Sequence, residues 1–143
     1  LEFAREILLG REKFDIYKKL QIEIPDFLAS ISINQFEISL FDRLLKYDIS
    51  KLKEEEIASS GYVLHTIEAS IWCLLTTDNY KDSTLKAVNL GEDTDSTAAV
   101  LGGLSGLLYG FDSIPKSWID QIARKEDIEN LAERLANKVF IKD

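Results

Sequence analysis

In Tyr62–Thr77 the apolar residues Val63, Leu64, Ile67, Ile71, Leu74 and Leu75 recur at steps of one, three and four. That spacing lays them on one face of an amphipathic helix, which Trp72 and Cys73 widen. The same period covers Phe3–Leu9, Phe14–Leu20, Phe36–Tyr47, Tyr80–Val88, Ser96–Tyr109, Ser117–Ala123 and Ile128–Phe140. No stretch of six or more residues shows the Val/Ile/Thr alternation of a half-buried strand, and the only prolines are Pro25 and Pro115. The expected fold class is all-α, a multi-helix orthogonal bundle with connections of two to six residues.

Punctuation agrees with the period. Ser60-Gly61 and Asp78-Asn79 place capping side chains ahead of two helices, and Gly91 stands where a helix ending at Asn89-Leu90 needs a left-handed residue. Pro115 suits the first turn of another helix, where its missing N–H is harmless. The charge run Lys51–Glu56 reads as a short solvated helix. With 143 residues the chain is one domain's worth. We expect a single all-α domain or fragment over residues 1–143, with a helical lead-in over 1–59 and a C-terminal helix over 129–143.

Composition excludes several classes of function. Cys73 is the only cysteine and His65 the only histidine, which rules out a disulfide framework and a four-ligand Cys/His zinc site. A net charge of −8, from 25 acids against 17 Lys and Arg, opposes binding to DNA or RNA, so no nucleic-acid partner is expected. The uncharged run Ser96–Phe111 falls short of the ~20 apolar residues a spanning helix needs, and with no basic segment ahead of an apolar stretch at Leu1 no secretory signal is expected. A cytoplasmic location without membrane association is expected. The chain begins at Leu1 and holds no methionine, so we read it as a fragment or a processed chain.

The chemistry concentrates in Asn89-Leu-Gly-Glu-Asp-Thr-Asp-Ser-Thr-Ala-Ala-Val100 and the small-residue helix to Gly110. Glu92, Asp93 and Asp95 lie in a loop that opens a helix. Two carboxylates brought to ~4 Å repel by about 4 kcal/mol at an effective dielectric near 20. The helix N-terminus offsets ~0.3–1 kcal/mol per acid, and a hard divalent cation with oxygen ligands could supply the rest. On the residues alone two readings stay open, a cation site or acids that cap the helix and remain hydrated. Gly102, Gly103 and Gly106 each cost about 0.8–1 kcal/mol relative to alanine. Ala98, Gly102 and Gly106 form a bare ridge, widened by Ala99 and Gly103, on which another helix can sit closely and so clamp the acid loop. An EF-hand starting at Asp93 fails, because its sixth and twelfth positions would be Ala98 and Leu104. Asp93-Thr-Asp-Ser-Thr97 also fits the Asp-x-Asp-x-Thr pattern of aspartate-nucleophile phosphohydrolases, but a helix rather than a strand precedes it.

Three blocks resemble the C-terminal part of the ADP-ribosylglycohydrolase family, which includes the dinitrogenase reductase-activating glycohydrolases. They are Ser60–Leu75, Lys86–Gly110 and Ile114–Trp118, and they make 60–128 the family-like metal-site region. The resemblance implies an all-α fold of about twice this length that holds two divalent cations, Mg²⁺ or Mn²⁺, and hydrolyses the bond between ADP-ribose and a protein side chain or a related leaving group. It places metal ligation on Asp93, on Asp95 as the bridging carboxylate and on the hydroxyl of Ser96, which replaces the more usual threonine. The expected substrate partner is an ADP-ribosylated protein or a small ADP-ribosyl compound. The family's N-terminal acidic segment has no counterpart here, so the catalytic carboxylates are expected on a missing N-terminal segment or second chain. The alternative is a non-catalytic, truncated or degenerate helical module that binds nucleotide or protein.

Gly61 and Tyr62 are candidate substrate-binding residues, Tyr62 bordering the ribose or serving as a core-edge aromatic. His65 is read as a surface or satisfied core residue and Cys73 as buried packing; Tyr109 and Trp118 are assigned to packing.

Overall fold

The computed structural model of the chain describes residues 1–140. Among the described residues there are nine α-helices and no strand, as the period requires. They are α1 (Glu2–Leu8), α2 (Lys13–Ser30), α3 (Gln35–Ser39), α4 (Asp42–Leu45), α5 (Val63–Leu75), α6 (Tyr80–Asn89), α7 (Thr94–Tyr109), α8 (Lys116–Ile119) and α9 (Lys125–Phe140). The larger of two compact units, Leu1–Ser113, carries α1 to α7; the smaller begins at Ile114 and carries α8 and α9. No helix among the described residues is long and apolar enough to cross a membrane.

The core of the larger unit collects Ile16, Ile49, Leu74 and Leu101, none of which meets solvent, with Trp72, Ala69, Cys73 and Ala87 around them. Fully burying a side chain of the leucine or isoleucine kind contributes roughly 1.5–3 kcal/mol. α5 runs through this core against α6 and α7. Every residue from Glu68 to Leu75 is buried, so the second half of α5 is enclosed all round. Period alone assigned Val63 and Ile67 to the buried face, yet Val63 is 69% and Ile67 38% exposed while Glu68 and Ser70 are inside. Arg43 Nε pairs with Glu68 at 2.9 Å, and the Ser70 hydroxyl donates to the Thr66 and Thr97 carbonyls at 2.7 and 3.2 Å, which makes their burial tolerable.

Four other expectations needed correction. The expected helix Ser117–Ala123 is observed as Lys116–Ile119, closing at Asp120. The span Phe36–Tyr47 is broken into α3 and α4, because Leu40 and Phe41 close the first turn and restart the second. The link from α4 to α5 is far longer than six residues and holds two single 3₁₀ turns, Ile49–Lys51 and Glu54–Glu56, where the charge run stays in solvent. It is ordered by burial of Ile49 and Ile57 and by the Trp72 indole, whose N–H donates to the Leu52 carbonyl at 3.0 Å. Helix α2 continues through Pro25 to Ser30, ten residues past the expected end at Leu20.

Asn79 caps α6 as expected, its side chain accepting the Asp82 N–H at 2.8 Å. Gly91 is left-handed at φ +86°, and Glu92 follows it at φ +57°. Two consecutive left-handed residues swing the chain from the end of α6 to the start of α7. For Glu92 that conformation costs about 1–2 kcal/mol. The bare ridge of α7 faces α6: a Cβ on Gly102 would meet the Tyr80 hydroxyl at 3.6 Å, and one on Gly106 the Tyr80 ring at 3.9 Å. Gly103 looks onto open space and Ala99 is exposed, so the ridge is used on one side only. Ser83 and Ser105 seal the α6–α7 contact with a buried hydroxyl pair at 2.7 Å.

Candidate functional site

Two helix starts meet at the acid loop. The Asp93 N–H donates to the Ser59 carbonyl at 3.0 Å, and the Ser59 hydroxyl donates to the Gly91 carbonyl at 2.8 Å. The segment before α5 is thereby fixed to the segment before α7. Ser59 is buried. Nothing in its sequence context marked it, since a serine outside any cap or motif pattern carries no signal until its partner on another segment is known.

The link presses Gly61 onto Asp93. A Cβ at Gly61 would lie 2.9 Å from Asp93 Oδ2, closer than real side chains approach, so only glycine leaves the carboxylate its place. Asp93 occupies the N-cap position of α7, but its side chain makes no capping hydrogen bond. Its carboxylate turns instead toward Gly61 and Asp95. A hydrogen bond with the Asp93 carboxyl, then those from the N–H of Ser96 and its own N–H, hold the Asp95 carboxyl below the usual carboxylate range. Asp95 is exposed, Asp93 and Ser96 are half-buried, and Glu92 stays in solvent.

The arrangement therefore brings together Gly61, Asp93 and Asp95 and places Ser96 beside them in the first turn of α7. The two carboxyl groups come together at the helix start, where a divalent cation between them would offset their repulsion. The donor set is all oxygen, it sits at the positive end of a sixteen-residue helix, and a glycine clears its flank. These residues fit one side of a hard-cation site. Among the described residues no group of three or more His, Cys, Asp or Glu side chains converges, so the carboxylates here number two.

Tyr62 is half exposed and turns to a different neighbourhood, packing edge-on to His65 with ring centroids 5.3 Å apart. Both line a cleft of about 200 Å³ with Arg43, Glu56 and Glu68. Ser60 is not the N-cap of α5, as the sequence suggested; Tyr62 is, and the Ser60 hydroxyl pairs with His65 Nδ1 at 2.7 Å. His65 is thus a satisfied, half-buried residue. Cys73 is fully shielded, and burial pushes its thiol up to about 12 against a weaker pull from Lys86. Such a thiol is inert at neutral pH. The Tyr109 hydroxyl donates to the Thr77 carbonyl at 3.0 Å, confirming a packing role. Trp118 is half-buried in the smaller unit.

The family model described as ADP-ribosylglycohydrolase matches residues 3–142. An ADP-ribosylarginine hydrolase of Serratia proteamaculans is 52% identical over 83 residues, which are 58% of this chain and 23% of that protein. Its counterpart in Pseudomonas putida is 40% identical over 84 residues, 59% of this chain and 23% of the relative. An ADP-ribosyl-[dinitrogen reductase] glycohydrolase of Rhodospirillum rubrum is 35% identical over 71 residues, 50% of this chain and 24% of the relative. The chain spans about a quarter of the length of these relatives.

Proposed function

The chain belongs to the ADP-ribosylglycohydrolase family, and on that premise we propose that it forms one wall of a hydrolase site that releases ADP-ribose from a modified protein side chain. The observation that carries this reading is the Asp93 carboxylate, turned away from the cap it could make and held by bare Gly61 beside Asp95. Relatives named for ADP-ribosylarginine and for ADP-ribosylated dinitrogen reductase support a protein-linked substrate.

Asp93, Asp95 and the Ser96 hydroxyl would hold Mg²⁺ or Mn²⁺, with Asp95 shared between two ions. When bound, such ions orient substrate hydroxyls and lower the pKa of a water. The chain's own residues supply negative charge and orientation. The Asp93 side chain and then the N–H of Ser96 hold the Asp95 carboxyl below the usual carboxylate range. The Asp93–Ser59 and Ser59–Gly91 bonds keep the loop from drifting when a cation or substrate arrives. Gly61, with no side chain, leaves the Asp93 carboxylate its place, and the half-exposed Tyr62 would border a ribose bound there. Proton transfer to the leaving group is assigned to a carboxylate outside this chain, because the two converging here are taken up as ligands.

Titration of Mn²⁺ into the ¹⁵N-labelled chain tests the ligand set. The amide signals of Asp93, Asp95 and Ser96 should broaden first, and Asp95→Asn should remove the effect while leaving the fold intact, since Asp95 is exposed and asparagine keeps its shape. Uniform broadening over all surface acids would refute the assignment. The purified chain alone should release no ADP-ribose from a modified protein with either metal; clear turnover would show that the catalytic groups lie within it.

A further inference from the structure

We infer that His65 is a positioning residue for the Asp93 carboxylate, acting through Ser60 and Tyr62 on the Gly61 between them. The inference rests on the reading of Asp93 as a metal ligand.

α5 starts without a side-chain cap at Tyr62. The Tyr62 N–H donates to Ser60 Oγ, at 3.4 Å, and that oxygen lies 2.7 Å from His65 Nδ1. His65 stands three residues into the helix from Tyr62. In a capping box the side chain at that position reaches back to the N-cap N–H directly. Here a serine hydroxyl is inserted between the two, so the imidazole holds Ser60 and Tyr62 together. The edge of one ring against the other, at 89°, holds Tyr62 a second time.

Gly61 is therefore flanked on both sides by residues that His65 fixes, and its Cα is the surface against which Asp93 Oδ2 rests. The other anchor of the segment, Ser59, holds the Asp93 backbone and not its side chain. Removing the imidazole leaves the backbone link in place and frees the Gly61–Tyr62 step, so the loss should appear in the carboxylate's placement more than in the fold.

The experiment compares His65→Ala, His65→Phe, His65→Asn and Ser60→Ala in the ¹⁵N-labelled chain. Asparagine places a hydrogen-bonding group, donor or acceptor, near the Nδ1 position; phenylalanine keeps the ring edge and the volume but offers neither. The Mn²⁺ concentration that half-broadens the Asp93 and Asp95 amides should rise about tenfold in the Ala and Phe variants and stay close to wild type in Asn. Ser60→Ala, which leaves the histidine in place, should behave as Phe does. His65 is the sole histidine, so its ring nitrogens can be assigned without ambiguity, and the Nδ1 signal should move in Ser60→Ala. Equal Mn²⁺ response in wild type and His65→Phe, or an Asn variant no better than Ala, overturns the inference, whatever the melting temperatures do. If the wild type shows no Mn²⁺ broadening at Asp93 and Asp95, the ligand reading fails on its own. His65 is then judged on metal-free amide shifts of Gly61 and Asp93, which must move in Phe and return in Asn.

Discussion

Between Ser59 and Tyr109 the helices are joined largely by short side chains, with Lys86 on the Thr76 hydroxyl and the Trp72 ring as the long exception, whereas between Leu1 and Lys53 long charged ones do much of the joining. In the first region a serine pair seals α6 to α7, Ser70 ties α5 to α7, and glycines admit the Tyr80 ring. In the second, the carboxylate of Glu6, only 1% exposed, is surrounded by Arg5 at 2.9 Å, Arg11 at 2.5 Å and Lys19 at 3.4 Å. Lys13 spans from α2 to the Thr77 carbonyl and Asp78. A lysine or arginine carries about 2 kcal/mol of rotamer entropy, so it tolerates several geometries. A serine hydroxyl on one rotatable bond permits few. The region that holds the acid loop is thus built from groups that transmit position, and the region away from it from groups that transmit charge.

The comparison can be broken in four places, from the largest expected effect to the smallest. Leu101→Ala empties a site in α7 with no solvent contact and should lower unfolding free energy by about 2–5 kcal/mol in urea melts. A loss under about 1 kcal/mol would mean that the short-side-chain region is loosely packed. Glu6→Gln keeps the shape but removes the charge that three cations share, and should cost about 1–3 kcal/mol by the same measurement. The mutational loss should be smaller in high salt, because the three partners are partly exposed and are screened there. Ser105→Ala should cost about 1 kcal/mol, and adding Ser83→Ala should cost less than the two single losses summed, because they share one bond. Strict additivity would show the hydroxyl pair to be incidental.

The smallest change in stability is expected for Gly61→Ala. The atom met by the new Cβ is the tip of a flexible carboxylate, so the side chain can swing aside for less than about 1 kcal/mol. Its effect on Mn²⁺ broadening at Asp93 should nevertheless be marked. A variant that loses stability but keeps its Mn²⁺ response would place the importance of Gly61 in folding rather than in the site.

Much of this was legible in the chain. The 3.6-residue period located α1, α5, α6 and α7, because helical spacing of apolar residues can be read without knowing the neighbours; which of them are buried could not, since Leu85 and Val88 of α6 are exposed while Ser83 and Ala87 are inside. Asn79 and Gly91 were legible because cap and left-handed positions make local demands on residue type. The Phe36–Tyr47 break was not legible, since both halves keep the helical period and only the packing of Ile38 and Leu44 into the larger unit sets the turn between them. Nor was the burial of Glu68, which depends on Arg43 from another element.

What the sequence by itself determined is the all-α class, the start of α7 within a cluster of acids, and a glycine before α5. Only the tertiary structure decided what those acids do. At a helix start an aspartate can cap its own helix or turn away, and the two choices differ by about 1 kcal/mol, too little for local residues to settle. The choice came from Ser59 and Gly61, some thirty residues upstream, whose backbone holds the Asp93 N–H and leaves the carboxylate room beside Asp95.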